Sequence, residues 1–233
     1  MNLAIITARG GSKRIPRKNI KPFCGKPIIR YSIDAAKQSG IFDTVMVSTD
    51  DEMIASISRA AGAEVPFFRS IETSNDYATT SDVLFEVLEQ YSIRDTAFDY
   101  LCCIYPTAPF INSELINTGM RLLINSGADS VIPVVRFSFP PQRGFVIKSD
   151  NLQMLYPEHL TTRSQDLQPM YHDAGLFYCV NIISFMIQRK LLMLHSLPLI
   201  LPEEEVQDID NEEDWKIAEL KYRILLDRNH EAI

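Results

Sequence analysis

Short apolar segments alternate with amphipathic segments of helical spacing from residue 2 to residue 135, and this alternation restricts the fold more than any other feature. Helices are predicted in the amphipathic segments, because apolar residues recur there every three or four positions. Repeated strand and helix units of this length fold into a mostly parallel sheet with helices on both faces. The sequence therefore predicts a three-layer α/β fold with a Rossmann-like sheet. Strands are predicted at 2–8, 44–49, 65–68, 99–104 and 130–135, and helices at 27–39, 51–61, 79–91 and 112–127.

The alternation stops after Arg136. Residues 139–144 have turn chemistry, and the segment up to Tyr171 mixes short β-like pieces with polar residues. We expect 137–171 to be an inserted arm within a single domain that spans 1–233. Regular elements then resume, with a strand at 175–181, an amphipathic segment at 183–192, an apolar piece at 197–201 and a helix at 211–226.

The composition is that of an ordinary globular domain, with 46% hydrophobic residues and a formal net charge of −7. No apolar run approaches the roughly 20 residues that cross a bilayer, so a membrane-spanning chain is not expected. The chain enters its first strand without a basic leader, and its four cysteines show no metal or disulfide spacing. We expect a cytoplasmic protein with buried, reduced thiols.

Charge is unevenly distributed along the chain. Residues 1–33 hold eight basic residues and no acidic one, whereas residues 203–214 hold eight acidic residues and no basic one. An exposed basic cluster attracts phosphates, either of a polynucleotide or of a small nucleotide. The acidic segment is suited to the divalent metal that accompanies a polyphosphate.

The first segment with recognisable chemistry is the glycine-rich stretch 9–19, which directly follows the first predicted strand. Glycines allow backbone N–H groups to approach phosphate oxygens, and the neighbouring basic side chains supply charge. The stretch has neither the Walker GK[ST] ending nor GxGxxG spacing. From composition alone, a solvated basic loop and a phosphate cradle are equally good interpretations. A nucleic-acid-binding module is a third, although a pI of about 5.2 and the lack of interleaved aromatic residues argue against it.

Read in order, Ala8-Arg9-Gly10-Gly11-Ser12-Lys13-Arg14-Ile15-Pro16 resembles the nucleotide-binding signature of the cytidylyltransferases that activate acidic sugars, such as the CMP-sialic acid, CMP-KDO and CMP-pseudaminic acid synthetases. Four further segments extend the resemblance over nearly the whole chain: 42–51, 64–82, 106–109 and 206–210. Among the subfamilies, 160–167 and 171–175 look most like the pseudaminic acid enzymes. The resemblance implies a fold like that of the nucleotide-diphospho-sugar transferases, also called GT-A-like.

It also implies a reaction, in which the anomeric hydroxyl of an acidic nine-carbon sugar attacks the α-phosphorus of CTP and pyrophosphate leaves. The residues expected to hold the phosphates and to act in catalysis are Ala8, Arg9, Gly10, Gly11, Ser12, Lys13, Lys18 and Asn19. Contacts with cytosine and ribose are expected from Arg69, Thr79, Thr80 and Ser81, on the resemblance alone. The residues expected around the sugar are Tyr105, Thr107, Arg163, His172, Asp173 and Gly175, with Arg163 on its carboxylate because a guanidinium grips that group with two hydrogen bonds.

Asp208 and Asp210 are the expected metal ligands. Two apart on an extended segment, they point the same way and can share a Mg²⁺. A polar turn or a helix cap is the alternative for Asp210, which the acidic surroundings and the resemblance disfavour.

The chain departs from the sialic acid enzymes at Tyr105, Phe110, Ile111 and His172-Asp173-Ala174. We expect these changes to lie in the sugar pocket and to make its wall less polar, as suits pseudaminic acid. CMP-sialic acid and CMP-KDO synthesis remain alternatives, as does a nucleotide-binding regulator without catalysis. The apolar arm, together with the dimers formed by the resembled family, predicts a twofold homodimer in which the arm covers the partner's sugar pocket.

Overall fold

The computed structural model describes residues 1–231, so the last two residues of the predicted domain lie outside the described part. Its centre is a seven-stranded sheet, with helices on both faces. The strands are β1 (Asn2–Thr7), β2 (Pro22–Phe23), β3 (Lys26–Pro27), β4 (Thr44–Ser48), β5 (Tyr100–Ile104), β6 (Ser130–Arg136), β7 (Phe145–Lys148), β8 (Asn151–Met154), β9 (Tyr171–Asp173), β10 (Phe177–Asn181) and β11 (Ser196–Leu201). The helices are α1 (Ile29–Ser39), α2 (Glu52–Ala60), α3 (Ile71–Ser74), α4 (Thr80–Ser92), α5 (Ser113–Ser126), α6 (Ile182–Gln188) and α7 (Glu212–Glu231).

The strand order is β11-β6-β10-β5-β1-β4, and β9 pairs with β6 in line with β10. β1 runs parallel to β4 and β5, and β6 runs parallel to β11. β10 is antiparallel to both of its neighbours, because the chain enters it from the arm and not through a crossover helix. The predicted three-layer, mostly parallel sheet is confirmed.

Alternate residues of the buried strands supply the two cores. In β1, Ile6 packs on the face covered by α1, α2 and α5, and Ile5 packs on the face covered by α4 and α6. A third cluster lies away from the sheet, where α7 packs on the β2–β3 hairpin. There the Phe23 ring meets Tyr31, Trp215 and Tyr222 edge to face, at centroid distances of 5.5 to 5.6 Å.

Helix boundaries follow the local signals in the sequence. Asp51 and Asn112 cap α2 and α5, and Thr79 forms a reciprocal capping box with Asp82 at the start of α4. α1 ends at Gly40 and α5 at Gly127, both in the left-handed conformation at φ 64° and 66°. α1 begins two residues later than expected, at Ile29, because Lys26 and Pro27 pair with β2 in a hairpin.

The predicted strand at 65–68 is wrong. The chain there makes a single parallel bridge, between Glu64 and Met46, and then leaves the sheet. Pro66 has no N–H with which to continue the ladder, which accounts for the early end of the pairing.

The predicted arm is present between β6 and β9 as the β7–β8 hairpin and three short 3₁₀ turns. Much of its apolar surface is exposed: Phe139 to 86%, Ile147 to 76% and Leu152 to 65%. Leu167 is buried, and the amide of Gln142 donates to the carbonyl of Gln168 at 2.8 Å, so these two side chains fix the base of the arm. Within residues 1–231, none of the helices is both long and apolar enough to cross a bilayer.

Candidate active site

A cleft of about 490 Å³ opens at the carboxyl ends of β1 and β5. Because parallel strands end at one edge of a sheet, the loop after β1 and the turn after β5 meet there. The segment before α4 and the acidic segment before α7 close the other sides. The lining residues are Thr7, Arg9, Ser12, Lys13, Arg14, Lys18, Asn19, Asp76, Tyr105, Pro106, Thr107, Asp208 and Asp210.

The glycine-rich loop is held close to the start of α2. The N–H of Gly10 donates to the Asp50 carboxylate at 2.8 Å, and a Cβ at Gly10 would lie 2.9 Å from the Cβ of Asp51. At Gly11 a Cβ would meet no atom within 4 Å. The Asn19 amide donates to the carbonyl of Arg9 at 2.9 Å and braces the loop from behind. Only a glycine fits at position 10, whereas Gly11 faces open space.

The cations of the loop are paired with carboxylates from distant parts of the chain. Arg9 Nη1 donates to Asp76 Oδ1 at 2.8 Å, and the Lys13 ammonium pairs with the same carboxylate. Hydrogen bonds from Lys13 and Arg9 lower the pKa of Asp76 below its ordinary value. Arg14 Nη2 lies 2.8 Å from Asp210 Oδ1. Three of the four cations that line the cleft, Arg9, Lys13 and Arg14, are therefore held by two carboxylates.

The acidic segment is fixed by the residue between its two aspartates. Ile209 is fully buried in the third cluster, so Asp208 and Asp210 on either side of it are directed to the cleft. Lys18 Nζ donates to the carbonyl of Ile209 at 2.6 Å and lies 3.8 Å from Asp210 Oδ1. Burial lowers the pKa of Lys18. Loss of hydration, followed by the nearby charge of Asp210, raises the pKa of Asp208.

This pair of carboxylates suits one particular kind of metal site. Among residues 1–231, no group of three or more His, Cys, Asp or Glu side chains is arranged to hold a metal. Mg²⁺ is commonly bound by one or two carboxylates together with water and substrate phosphates. Asp208 and Asp210 fit a Mg²⁺ that brings its remaining ligands with a phosphate substrate.

Aromatic and polar side chains form the wall beyond β5. The Tyr105 hydroxyl lies 3.3 Å from Thr80 Oγ1, and its ring packs edge to face on Tyr178 at 5.5 Å. Tyr178 donates to Asp173 Oδ2 at 2.7 Å, and the N–H of Gly175 donates to Oδ1 of the same carboxylate at 2.7 Å. Burial raises the pKa of both tyrosine hydroxyls, which stay protonated. Gly175 also approaches the acidic segment, since a Cβ there would lie 3.6 Å from Asp208 Cγ.

Several residues predicted for the site do not line this cleft. Arg69 is buried behind it, where it donates to the Ser48 carbonyl at 2.7 Å, and burial lowers its pKa to about 10. Thr79 is engaged in the helix cap. Arg163 is exposed on the arm, and His172 donates from Nδ1 to the carbonyl of Asp173 at 2.8 Å, with its ring 4.8 Å from that of Phe137. Ala8, Gly10, Gly11, Thr80, Ser81, Asp173 and Gly175 likewise lie outside the lining set, although Thr80 contacts the lining residue Tyr105.

Phe110 and Ile111, which were expected in the sugar pocket, do not line this cleft. Phe110 is buried in the third cluster, and Ile111 is buried in the core beneath α1 and α5. The turn 105–109, which contains Pro106 and Pro109, carries both side chains away from the cleft toward the start of α5. Of these departures, only Tyr105 lines the cleft.

Three charged residues that complete the site were not predicted for it. Asp50 receives the N–H of Gly10, Asp76 pairs with two loop cations, and Arg14 pairs with Asp210. Arg14 lies inside the basic run and Asp76 inside a segment noted for its resemblance, so both were open to prediction. Asp50 also lies inside such a segment, 42–51, but no local pattern indicates its role, since its partner is a backbone N–H 40 residues away.

The chain is similar in sequence to known proteins over nearly its whole length. The sequence profile of the family described as cytidylyltransferase matches residues 3–203. A pseudaminic acid cytidylyltransferase of Campylobacter jejuni is 39% identical, over 99% of this chain and 98% of that protein. A CMP-N,N'-diacetyllegionaminic acid synthase of Legionella pneumophila is 32% identical over the same shares of the two chains.

Solved structures show the same fold at low sequence identity. A CMP:2-keto-3-deoxy-manno-octonic acid synthetase in complex with CTP superposes with a TM-score of 0.69 at 16% identity, covering 97% of this chain and 99% of its own. A 4-diphosphocytidyl-2C-methyl-D-erythritol synthase from Anaerococcus prevotii gives a TM-score of 0.62 at 14% identity, covering 95% and 98%. The two superpositions confirm the expected α/β fold.

Proposed function

Because the chain belongs to the cytidylyltransferase family, we propose that it transfers CMP from CTP to the anomeric hydroxyl of pseudaminic acid and releases pyrophosphate. The observation that carries this proposal is the facing of loop cations and two carboxylates across one cleft, in a chain 38–39% identical to two pseudaminic acid cytidylyltransferases over almost its whole length. Such a cleft suits a triphosphate and its metal.

The loop after β1 binds and orients the triphosphate. Arg9 and Lys13 exchange Asp76 for phosphate oxygens, and the open side of Gly11 lets the nucleotide approach the backbone. Attack at the α-phosphorus requires the groups to be aligned and the negative charge to be neutralised, and both are achieved by cations already fixed in place. Lys18 acts from the rear of the cleft, where it also anchors the acidic segment.

Asp208 and Asp210 hold the metal in this proposal, and Mg²⁺, when bound, polarises the attacked phosphate. Burial, and after it the nearby charge of Asp210, makes the ionised form of Asp208 costly until a cation joins it, which is the direction of the pKa shift at Asp208. Asp210→Ala should abolish turnover with an unchanged circular dichroism spectrum. Near-normal turnover at saturating Mg²⁺ would contradict the metal role.

The sugar is proposed to lie along Tyr105, Thr107 and the wall that Asp173 and Tyr178 support. Arg163 is proposed to reach the sugar carboxylate from the arm of a neighbouring subunit, since it is exposed and does not line the cleft of its own chain. Steady-state kinetics of Arg163→Lys test this role, because a lysine keeps the charge and loses the two parallel hydrogen bonds. We expect a rise in the KM for the sugar with little change in the KM for CTP.

Release of pyrophosphate from CTP with a panel of acidic sugars tests the substrate. Pseudaminic, legionaminic, sialic and 2-keto-3-deoxy-octonic acids are compared at equal concentrations with Mg²⁺. The proposal predicts the highest kcat/KM for pseudaminic acid. A preference for any other member assigns the chain to that sugar, and no release with any sugar would favour a nucleotide-binding protein without this catalysis.

The arm supports a proposed homodimer. Nine apolar residues of the arm are proposed to form the interface: Phe137, Phe139, Phe145, Val146, Ile147, Leu152, Met154, Leu155 and Tyr156. Most of them are exposed, and an apolar surface of this kind is costly to leave in water. Burying this surface against a second copy removes that cost. Light scattering at micromolar concentration should give twice the chain mass, and an active monomer would contradict the dimer.

Sharing of sites between subunits needs a separate test. Arg143, on the arm, is proposed to lie near the partner's cleft, although in its own subunit it donates to the Thr162 carbonyl at 3.1 Å. Mixing an Asp210→Ala chain with an Arg143→Ala chain should restore activity if the arm completes the partner's site. No restoration would mean that each arm serves only its own subunit.

A further inference from the structure

The peptide unit between Ile209 and Asp210 is held at both of its polar ends. Its carbonyl oxygen accepts from Lys18 Nζ at 2.6 Å, and its N–H donates to Asp214 Oδ2 at 2.9 Å. The buried side chain of Ile209 fixes the plane from a third direction. The side chain of Asp210, one of the two proposed metal ligands, is therefore attached to a backbone that has little freedom to rotate.

Asp214 is anchored by the start of α7. The side chain of Asn211 accepts the N–H groups of Glu213 and Asp214 at 2.8 and 3.0 Å, and Asp214 Oδ2 accepts the N–H of Asn211 at 3.1 Å in return. This is a reciprocal capping box. In this protein Asp214 Oδ2 also accepts a hydrogen bond from the N–H of Asp210, so the capping hydrogen bonds extend to the residue before Asn211. Trp215, which follows, is buried against Phe23 and holds this end of the helix in place.

We propose that Asp214 is a positioning residue, which orients Asp210 for the metal by holding the Ile209–Asp210 peptide against Lys18. The proposal rests on the metal role assigned to Asp208 and Asp210 above. Groups that orient a metal ligand through hydrogen bonds tune affinity without touching the ion. Asp214 does this from α7, which lies beyond the part of the chain matched by the family profile.

Binding of CTP in the absence of sugar gives a readout that does not depend on turnover. Calorimetric titrations give the affinity for CTP with Mg²⁺ and with a chelator. The affinity with Mg²⁺ divided by the affinity with the chelator reports how much the metal strengthens binding. The ratio should exceed one in the unaltered protein and fall to about one in Asp210→Ala. Asp214→Ala should lower the ratio roughly ten-fold, or to the Asp210→Ala value if the whole gain is smaller, as is typical when an outer hydrogen-bonding partner of a ligand is removed.

Three matched variants separate positioning from other roles. Asp214→Asn keeps an oxygen that accepts both N–H groups, so it should retain most of the ratio. Asn211→Ala removes the opposite half of the same cap and leaves the Asp214 bond to Asp210 in place, so it controls for fraying of α7. Glu213→Ala removes an exposed carboxylate from the same turn and controls for charge. Both controls should keep the unaltered ratio.

The outcomes are distinguishable. If Mg²⁺ has no effect on the unaltered protein, or if Asp210→Ala keeps its ratio, the proposed metal role fails and this inference fails with it. If those two behave as expected and Asp214→Ala also keeps its ratio, only the positioning role is overturned. If Asp214→Asn lowers the ratio as much as Asp214→Ala does, the charge of Asp214 is the cause of the loss. If Asn211→Ala or Glu213→Ala lowers it as much, Asp214 acts only through the helix cap or through its surface charge. Each of these results also overturns the inference.

Discussion

Replacing Gly10 by alanine perturbs the closest approach in the nucleotide loop. The added Cβ would lie 2.9 Å from Asp51 Cβ and 3.1 Å from Asp51 Oδ2. Carbon atoms pack at about 3.5 Å or more, so the loop and the start of α2 must separate by about 0.6 Å. Asp51 cannot simply rotate away, because the contact is made by its Cβ and because its Oδ1 caps α2 through the N–H groups of Met53 and Ile54.

The expected cost combines two effects. Forcing an extra carbon into a packed contact costs about 1–3 kcal/mol. Losing the cap on α2 costs about 1 kcal/mol more if Asp51 shifts. We therefore expect Gly10→Ala to lower the free energy of unfolding by about 2–4 kcal/mol, and to lower kcat/KM because the N–H of Gly10 leaves Asp50.

Gly11→Ala is the matched control, since a Cβ there meets nothing within 4 Å. Urea unfolding followed by circular dichroism should place this variant within about 0.5 kcal/mol of the unaltered protein. The reasoning is refuted if Gly10→Ala also lies within about 0.5 kcal/mol, or if the two variants lose the same stability.

Three further perturbations test the charges and the packing around the cleft. Asp76→Asn frees Arg9 and Lys13 and should lower the KM for CTP about two- to five-fold with little change in stability, whereas a raised KM would mean that Asp76 orients these cations for the nucleotide. The raised pKa of Asp208 makes its ionised form unfavourable to folding, so the stability of the metal-free protein should fall as pH rises from 3.8, the ordinary pKa, through the raised pKa. Asp208→Asn should remove that fall and raise the melting temperature at neutral pH, and a lowered melting temperature would contradict this reasoning. Trp215→Ala should cost about 3–5 kcal/mol in urea unfolding, because the indole is 4% exposed and packs on Phe23, and a loss below about 1 kcal/mol would show that α7 is not anchored there.

Local signals in the sequence were sufficient for most helices and strands. Asp51, Thr79 and Asn112 cap helices, and Gly40 and Gly127 end them, because these residues act on backbone groups within a few positions. The strands were recognisable because burial on both faces requires continuous apolar runs. The failure at 65–68 arose from Pro66, whose missing N–H outweighed an apolar pattern.

The α/β alternation and the arm were predictable from the amino-acid pattern, as were the basic and acidic segments suited to a phosphate and a metal. The tertiary structure alone decided which of them meet one another. The antiparallel direction of β10, the burial of Phe110 and Ile111, and the pairing of Asp76 with Arg9 and Lys13 all depend on contacts between distant segments. Lys18 and Asp214, 196 positions apart, both hydrogen-bond to the peptide between Ile209 and Asp210. Neither periodicity nor propensity predicts such a contact, because it forms only after the sheet edge and the third cluster have packed.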